Sequence, residues 1–185
     1  MRLAHLLLGV FLGLTPAFAQ SPSEPLGIAL EGYAYLFPVR FLPLTVEQHA
    51  VRLAYMDVPP TAAANGRTVL PMHGRNFPAS YWEPTIKALT GAGYRMLAPD
   101  QINFGKSSKL DDVPVSFDAM AEHTAALLDH IGIKEADVLA HSMGNMAAVR
   151  LTSSFSRSAF ASSSCTLPLA WRTTASLCPR SRRIY

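Results

Sequence analysis

Residues 138–146 read VLAHSMGNM, and this short stretch decides the fold. Its first residues are apolar and strand-like. Small residues flank a serine in the pattern small-x-Ser-x-Gly, and helix-forming residues follow at once. A serine placed in so tight a strand-to-helix turn is pushed out of the sheet at the amino end of a helix. There the helix dipole and the first free N–H groups face any negative charge that develops nearby. Ser142 is thus the candidate nucleophile. The N–H of Met143 is a candidate donor to an oxyanion. Ala140 stands where glycine is usual in the five-residue pattern.

Working outward, the order of elements supports this reading. Val51 to Val58 alternates and reads as a strand, with turn residues after it. Thr68 to Met72 reads as a second strand, although Pro71 within it removes a ladder donor. Ala79 to Leu89 reads as a helix with Ser80 as its cap. Tyr94 to Ala98 is a buried strand that ends at Pro99-Asp100. Ser116 caps the clearest helix, in which Phe117, Met120, Ala121, Thr124, Leu127, Leu128 and Ile131 share one face until Gly132 stops it. His123 and His130 are expected on its outer face. Ala136 to Ala140 is the next strand. Strands alternating with helices predict an α/β fold with a parallel sheet, whose chemistry lies beyond the carboxyl ends of its strands.

Two further motifs lie at those ends. His73-Gly74-Arg75-Asn76-Phe77 follows a strand, and a His-Gly turn there offers a second oxyanion N–H, from Arg75 or Asn76. The His73 side chain is expected to brace the loop. The second motif runs from Asp100 to Ser108. Its Gly105-Lys106-Ser107 suggests a phosphate loop, but that loop needs a glycine where Asp100 stands, and an acid would repel phosphate. Asp100 is expected to be a structural acid that ties down the loop.

Together these motifs, with LPMHGRNFPASYWEPTIKALTGAGYRMLAPDQINFGKSSK ahead of AHSMGNMAAVRL, resemble bacterial α/β-hydrolases of the esterase, C–C hydrolase and epoxide hydrolase or dehalogenase type, over about residues 65–151. The resemblance implies an α/β-hydrolase sheet with flanking helices. It implies hydrolysis of an ester or related acyl or C–C bond in a small molecule. Serine at position 142 favours the esterase and C–C hydrolase branch, because epoxide hydrolases and dehalogenases use aspartate there. Glycine is usual in this family where the chain has Asn103, Ala140 and Asn145. No cofactor and no metal is expected.

The same resemblance implies that an acid and then a histidine follow the nucleophile. The 43 residues after Ser142 contain no Asp, Glu or His, and all six histidines precede it. The sheet is therefore expected to be the N-terminal half only, and activity is expected to be lost. Residues 152–185 hold nine serines, four threonines, five arginines and no glycine, with neither helical nor strand period. Read one base out of frame from Ser154 to Thr173, permitted codons yield LFPERVRKLVLYTPVGLED, which has a Pro turn, a buried strand and an acidic loop. A frameshift near residues 150–154 is the expectation.

The remaining organisation is simple. Residues 1–19 read as a secretory signal peptide: Arg2, an apolar run from Leu6 to Leu14, and Ala17-Phe18-Ala19 before a cut after Ala19. A periplasmic or secreted location follows. Residues 20–48 read as a Pro-rich leader and loop, 49–151 as a partial hydrolase domain, and 152–185 as an aberrant tail. No other segment is long and apolar enough to span a membrane. The formal charge of +3 comes from the tail. All 13 acids and ten of the 16 basic residues lie at or before Asp137, and six arginines follow without an acid. That is no nucleic-acid face, which needs basic residues clustered on one element. The alternative to a hydrolase is a non-catalytic fragment or a weak binding module with a basic tail. Two cysteines, Cys165 and Cys178, are too few for a metal site. Oligomeric state is not legible.

Overall fold

The computed structural model describes residues 26–154 and the backbone of residues 162–166. The signal-peptide segment and Cys178 lie outside the described residues. A six-stranded sheet has the order β1-β2-β4-β3-β5-β6. Its strands are β1 (Val39–Val46), β2 (His49–Val58), β3 (Thr68–Met72), β4 (Arg95–Pro99), β5 (Asp137–His141) and β6 (Ser162–Thr166). The helices are α1 (Glu83–Gly91), α2 (Phe117–Ile131) and α3 (Met143–Ser154). Strands β4, β3, β5 and β6 run parallel, whereas β1 pairs antiparallel with β2, and β2 antiparallel with β4. The sheet is therefore mixed, with an antiparallel edge on a parallel centre.

The central strands form because both their faces are buried, so they read as continuous apolar runs. Val69 and Met96 pack on one face with Ile86 and Trp82 around α1. Leu70, Met72 and Leu97 pack on the other with Leu127, Leu128, Ala147 and Leu151 of α2 and α3. Pro71 lies opposite Leu139 of β5, while the pairs with β4 are Thr68 with Arg95 and Val69 with Met96. The missing donor thus falls where the ladder toward β4 has already ended.

Residues 39–46 belong to β1 and not to a leader. Val46 pairs with His49 across a two-residue turn in which Glu47 and Gln48 have φ of 44° and 71°. Two left-handed residues make the tight hairpin turn that matches strand twist, usually built from Asn and Gly. Ser80 caps no helix: Ala79–Trp82 is a 3-10 turn, and α1 starts only at Glu83, with Pro84 in its first turn where a missing N–H costs nothing. Residues 162–166, expected to be irregular, form β6 beside β5.

Helix α2 matches its sequence pattern closely. The Ser116 hydroxyl accepts from the Ala119 N–H at 3.0 Å, and Gly132 ends the helix at φ 74°. Phe117 departs from the expected stripe and stays 37% exposed. His123 also departs, being half-buried, with burial lowering its pKa. Replacing fully buried Leu127 by alanine is expected to cost about 2–5 kcal/mol, through lost transfer energy and the cavity left behind. Phe117→Ala is expected to cost under about 1 kcal/mol. Urea denaturation of the two variants measures the difference.

Candidate active site

Ser142 occupies the single-residue turn between β5 and α3 with φ 51°, a left-handed conformation that L residues avoid at a cost of about 1–2 kcal/mol. The Asn145 N–H donates to the Ser142 carbonyl at 2.9 Å and closes the first turn of α3. Ser142 itself is exposed. Two positions away, Gly144 is buried against the end of β3. A methyl group there would collide with the Met72 carbonyl oxygen and lie 2.8 Å from that of His73. Only glycine lets α3 sit this close, so the turn is held tight from beneath. Met143 opens α3, and the first N–H groups of a helix have no acceptor within it.

Alanine in place of the usual glycine at position 140 brings no backbone strain. Ala140 is a buried residue of β5 opposite Met72, and it is not among the left-handed residues. Asn103 does replace a glycine in the strict sense, with φ 74°. Asn145 does not, because it lies inside α3.

The loop after β3 is at the same end of the sheet, since Met72 and Ala140 are register partners. His73 is fully buried. Its Nδ1 lies 2.8 Å from the Gly74 carbonyl, and its Nε2 accepts from the Gln101 N–H at 3.0 Å. A carbonyl can only accept, so the proton sits on Nδ1 and the ring is neutral. Burial agrees, lowering the His73 pKa. The side chain therefore braces two loops, with both nitrogens engaged. Beyond it, the Phe77 N–H donates to the Gly74 carbonyl at 3.3 Å across a turn whose third residue, Asn76, has φ 67°. Arg75 and Asn76 are exposed on this turn.

Asp100 is a hub. One carboxylate oxygen accepts from the Ala79 N–H at 2.5 Å, and the other from the Tyr35 hydroxyl at 2.7 Å and the Lys106 N–H at 2.8 Å. A side chain at Gly105 would strike this carboxylate. The residues that suggested a phosphate loop are spent locally. Lys106 Nζ donates to the Leu30 carbonyl at 2.6 Å, and Ser107 Oγ donates to the Asp100 carbonyl at 2.6 Å and accepts from the Ala54 N–H at 2.8 Å.

Sequence reasoning missed the aromatic contacts that join loop to turn. The His141 ring stacks on Tyr81 at 5.5 Å and meets Phe77 at 5.8 Å, while Phe77 and Tyr81 lie 4.8 Å apart. A methyl at Gly74 would come 2.7 Å from His141 Nδ1. The spacing Phe77 to Tyr81 was a usable signal, but it needs the helix start that was misplaced. Tyr35 was missed because its segment read as a leader.

A neutral buried His73 makes stability depend on pH. Its folded pKa lies below the ordinary value of 6.5, so the unfolded chain binds the proton more readily. The stabilisation is complete above about pH 6.5 and falls as pH drops below it, by up to about 1.4 kcal/mol per unit. Urea unfolding at pH 7.5 and 5.5 is expected to show this loss. His73→Gln is expected to flatten the slope, leaving the part of the same sign due to His123.

Comparison with known proteins agrees with the fold. The family model described as alpha/beta hydrolase fold matches residues 68–176. Over 103 residues the chain is 30% identical to a non-heme chloroperoxidase of Kitasatospora aureofaciens, covering 56% of this chain and 35% of that protein. It is 36% identical over 94 residues to epoxide hydrolase B of Mycobacterium tuberculosis, covering 49% and 25%. Among solved structures, a probable hydrolytic enzyme from Pseudomonas aeruginosa is 46% identical with a TM-score of 0.69, covering 72% of this chain and 42% of that one. A thermophilic esterase from Thermogutta terrifontis, 24% identical with a TM-score of 0.58 over 68% and 44% of the two chains, shares the fold. The matched part of the chain thus spans less than half the length of each of these proteins. With the family model matching more than half of its residues, the chain belongs to the alpha/beta hydrolase fold family.

Proposed function

We propose that this chain carries the nucleophile and oxyanion half of an exported serine hydrolase acting on an ester or related acyl or C–C bond. The observation that carries the reading is Ser142, exposed at φ 51° between β5 and α3 above the glycine-only contact of Gly144. In this reading Ser142 Oγ attacks the carbonyl carbon of the substrate. The new Oγ–C bond forms as the carbonyl π electrons move onto oxygen. That oxyanion is held by the N–H of Met143 and by that of Arg75 or Asn76, each donor being worth about 3–4 kcal/mol in the transition state. The Oγ proton must pass to a base. His73 is not that base, because both its nitrogens are occupied.

The 43 residues after Ser142 supply no Asp, Glu or His. On its own this polypeptide is expected to lack base-driven turnover and to keep only oxyanion-hole and binding effects, about 10³–10⁴-fold over water where these have been measured. The leader-like residues 1–19 support export, and the out-of-frame reading from Ser154 supports an altered reading frame. Sequencing the encoding DNA through codons 145–185 and beyond is expected to show the alternate frame open, with a downstream Asp and His. A frame that closes quickly removes that part of the proposal.

Added imidazole tests the catalytic reading directly, since it can take the proton and residues 143–185 hold no Asp, Glu or His to do so. With p-nitrophenyl esters, hydrolysis is expected to exceed the rate of imidazole alone, and the excess is expected to vanish in Ser142→Ala. An excess that survives in Ser142→Ala overturns the assignment.

A further inference from the structure

Beside the 73–77 loop lies an open cleft of about 490 Å³, which the reaction steps above do not use. Leu26, Ile28, Leu30 and Tyr33 form one wall, and Phe77 and Phe104 are on the other. Its size falls within the range of about 300–1,000 Å³ usual for small-molecule sites. Asn76 also lines it, so the cleft is continuous with the turn proposed to supply an oxyanion donor.

The first wall is fastened to the domain, although its sequence read as a leader. Lys106 Nζ holds the Leu30 carbonyl, the Tyr35 hydroxyl holds Asp100, and the Leu36 N–H donates to Glu83 Oε1 at 2.5 Å. Tyr33 packs edge-on against Tyr35 with ring centres 5.9 Å apart. This anchoring presents large apolar side chains to solvent: Ile28 is 75% exposed and Leu26 51%. Such exposure costs water-contact energy unless something apolar covers it.

The cation in the lining is turned to the backbone. Among the described residues Lys109 is the one ionisable cation there, and its Nζ donates to the carbonyls of Phe104, Gly105 and Ser107 at 3.3, 2.8 and 2.6 Å. The side chain of Asn103 is turned to the backbone, where its Oδ1 accepts from the Leu110 N–H at 2.6 Å. A carboxylate or phosphate entering here would lose water and have to compete with three carbonyls for Lys109.

We infer that this cleft seats an uncharged alkyl portion of a small-molecule substrate, with residues 26–33 as the wall that selects it. The inference rests on the hydrolytic reading of Ser142 and the 73–77 loop. It makes the substrate class apolar and neutral on this side of the reacting carbonyl.

The test is binding to the full chain, read by displacement of Nile red. The ligands are hexan-2-one, octan-2-one and decan-2-one, with octanoate as the charged counterpart. Affinity is expected to rise about three- to fourfold per added methylene. Octanoate is expected to bind at least tenfold more weakly than octan-2-one. Ile28→Glu and Leu26→Glu are each expected to weaken octan-2-one at least tenfold with an unchanged circular dichroism spectrum. Val149→Glu, on the exposed face of α3, is expected to change nothing. A flat ketone series, equal binding of octanoate, or undiminished binding in both glutamate variants overturns the inference. So does an affinity that falls as protein concentration rises, because a second copy then fills the cleft. Imidazole-dependent hydrolysis that persists with a flat series removes this inference alone. A steep series without Ser142-dependent hydrolysis removes the hydrolytic reading and with it the cleft's link to a substrate.

Discussion

The close approach of Gly144 to the carbonyl oxygens of Met72 and His73 is the contact on which the rest depends. It seats the amino end of α3 directly on the end of β3. That seating leaves one residue, Ser142, to turn the chain from β5 into α3, and a single residue can do so only in a left-handed conformation. The strain is repaid by burial around it. Ala147, Ala148 and Leu151 of α3 pack into the core with Leu70, Met72, Leu127 and Leu128. The same contact brings the β3 loop and the serine turn to one end of the sheet, where open α/β sheets place their ligands.

A second set of constraints holds the loops that converge there. Asp100 gathers the start of the 3-10 turn, the Gly105 loop and the segment before β1 onto one carboxylate. His73 ties the β3 loop to the β4 loop through Gln101, whose side-chain amide reaches Thr124 of α2 at 3.0 Å. The rings of Phe77, Tyr81 and His141 then lock the β3 loop to the serine turn. Polar hubs buried at loop junctions suit this purpose, since each unmade hydrogen bond there would cost about 1–3 kcal/mol. These contacts tie the loops at this end of the sheet to one another.

How much of this was legible follows from what each signal depends on. Strands β3, β4 and β5 and helix α2 were visible because burial on both faces, or a capped apolar stripe, is written in consecutive residues. The serine turn was visible because its small neighbours are a local steric need. The β1 strand was hidden for two physical reasons. Pro43 is tolerated on an edge strand but reads as a breaker, and Glu47-Gln48 forms a hairpin turn without Asn or Gly. Ser80 looked like a cap, yet it lies buried in a 3-10 turn, and Pro84 moved the helix start. His123 looked external by helical spacing alone, but it is half-buried and lines a small recess together with Val46, Ile102 and Val113 of other elements. The antiparallel edge and the aromatic lock are products of pairing across distant segments, and no local pattern carries them.

The central claim is that this backbone turn makes Ser142 chemically distinct from every other serine in the chain. Peptide mass spectrometry after exposure to a fluorophosphonate in imidazole buffer measures this directly. The account predicts phosphonylation at Ser142 and not at other exposed serines such as Ser116 and Ser153. Modification scattered over the exposed serines, with Ser142 no more reactive than the rest, would contradict it.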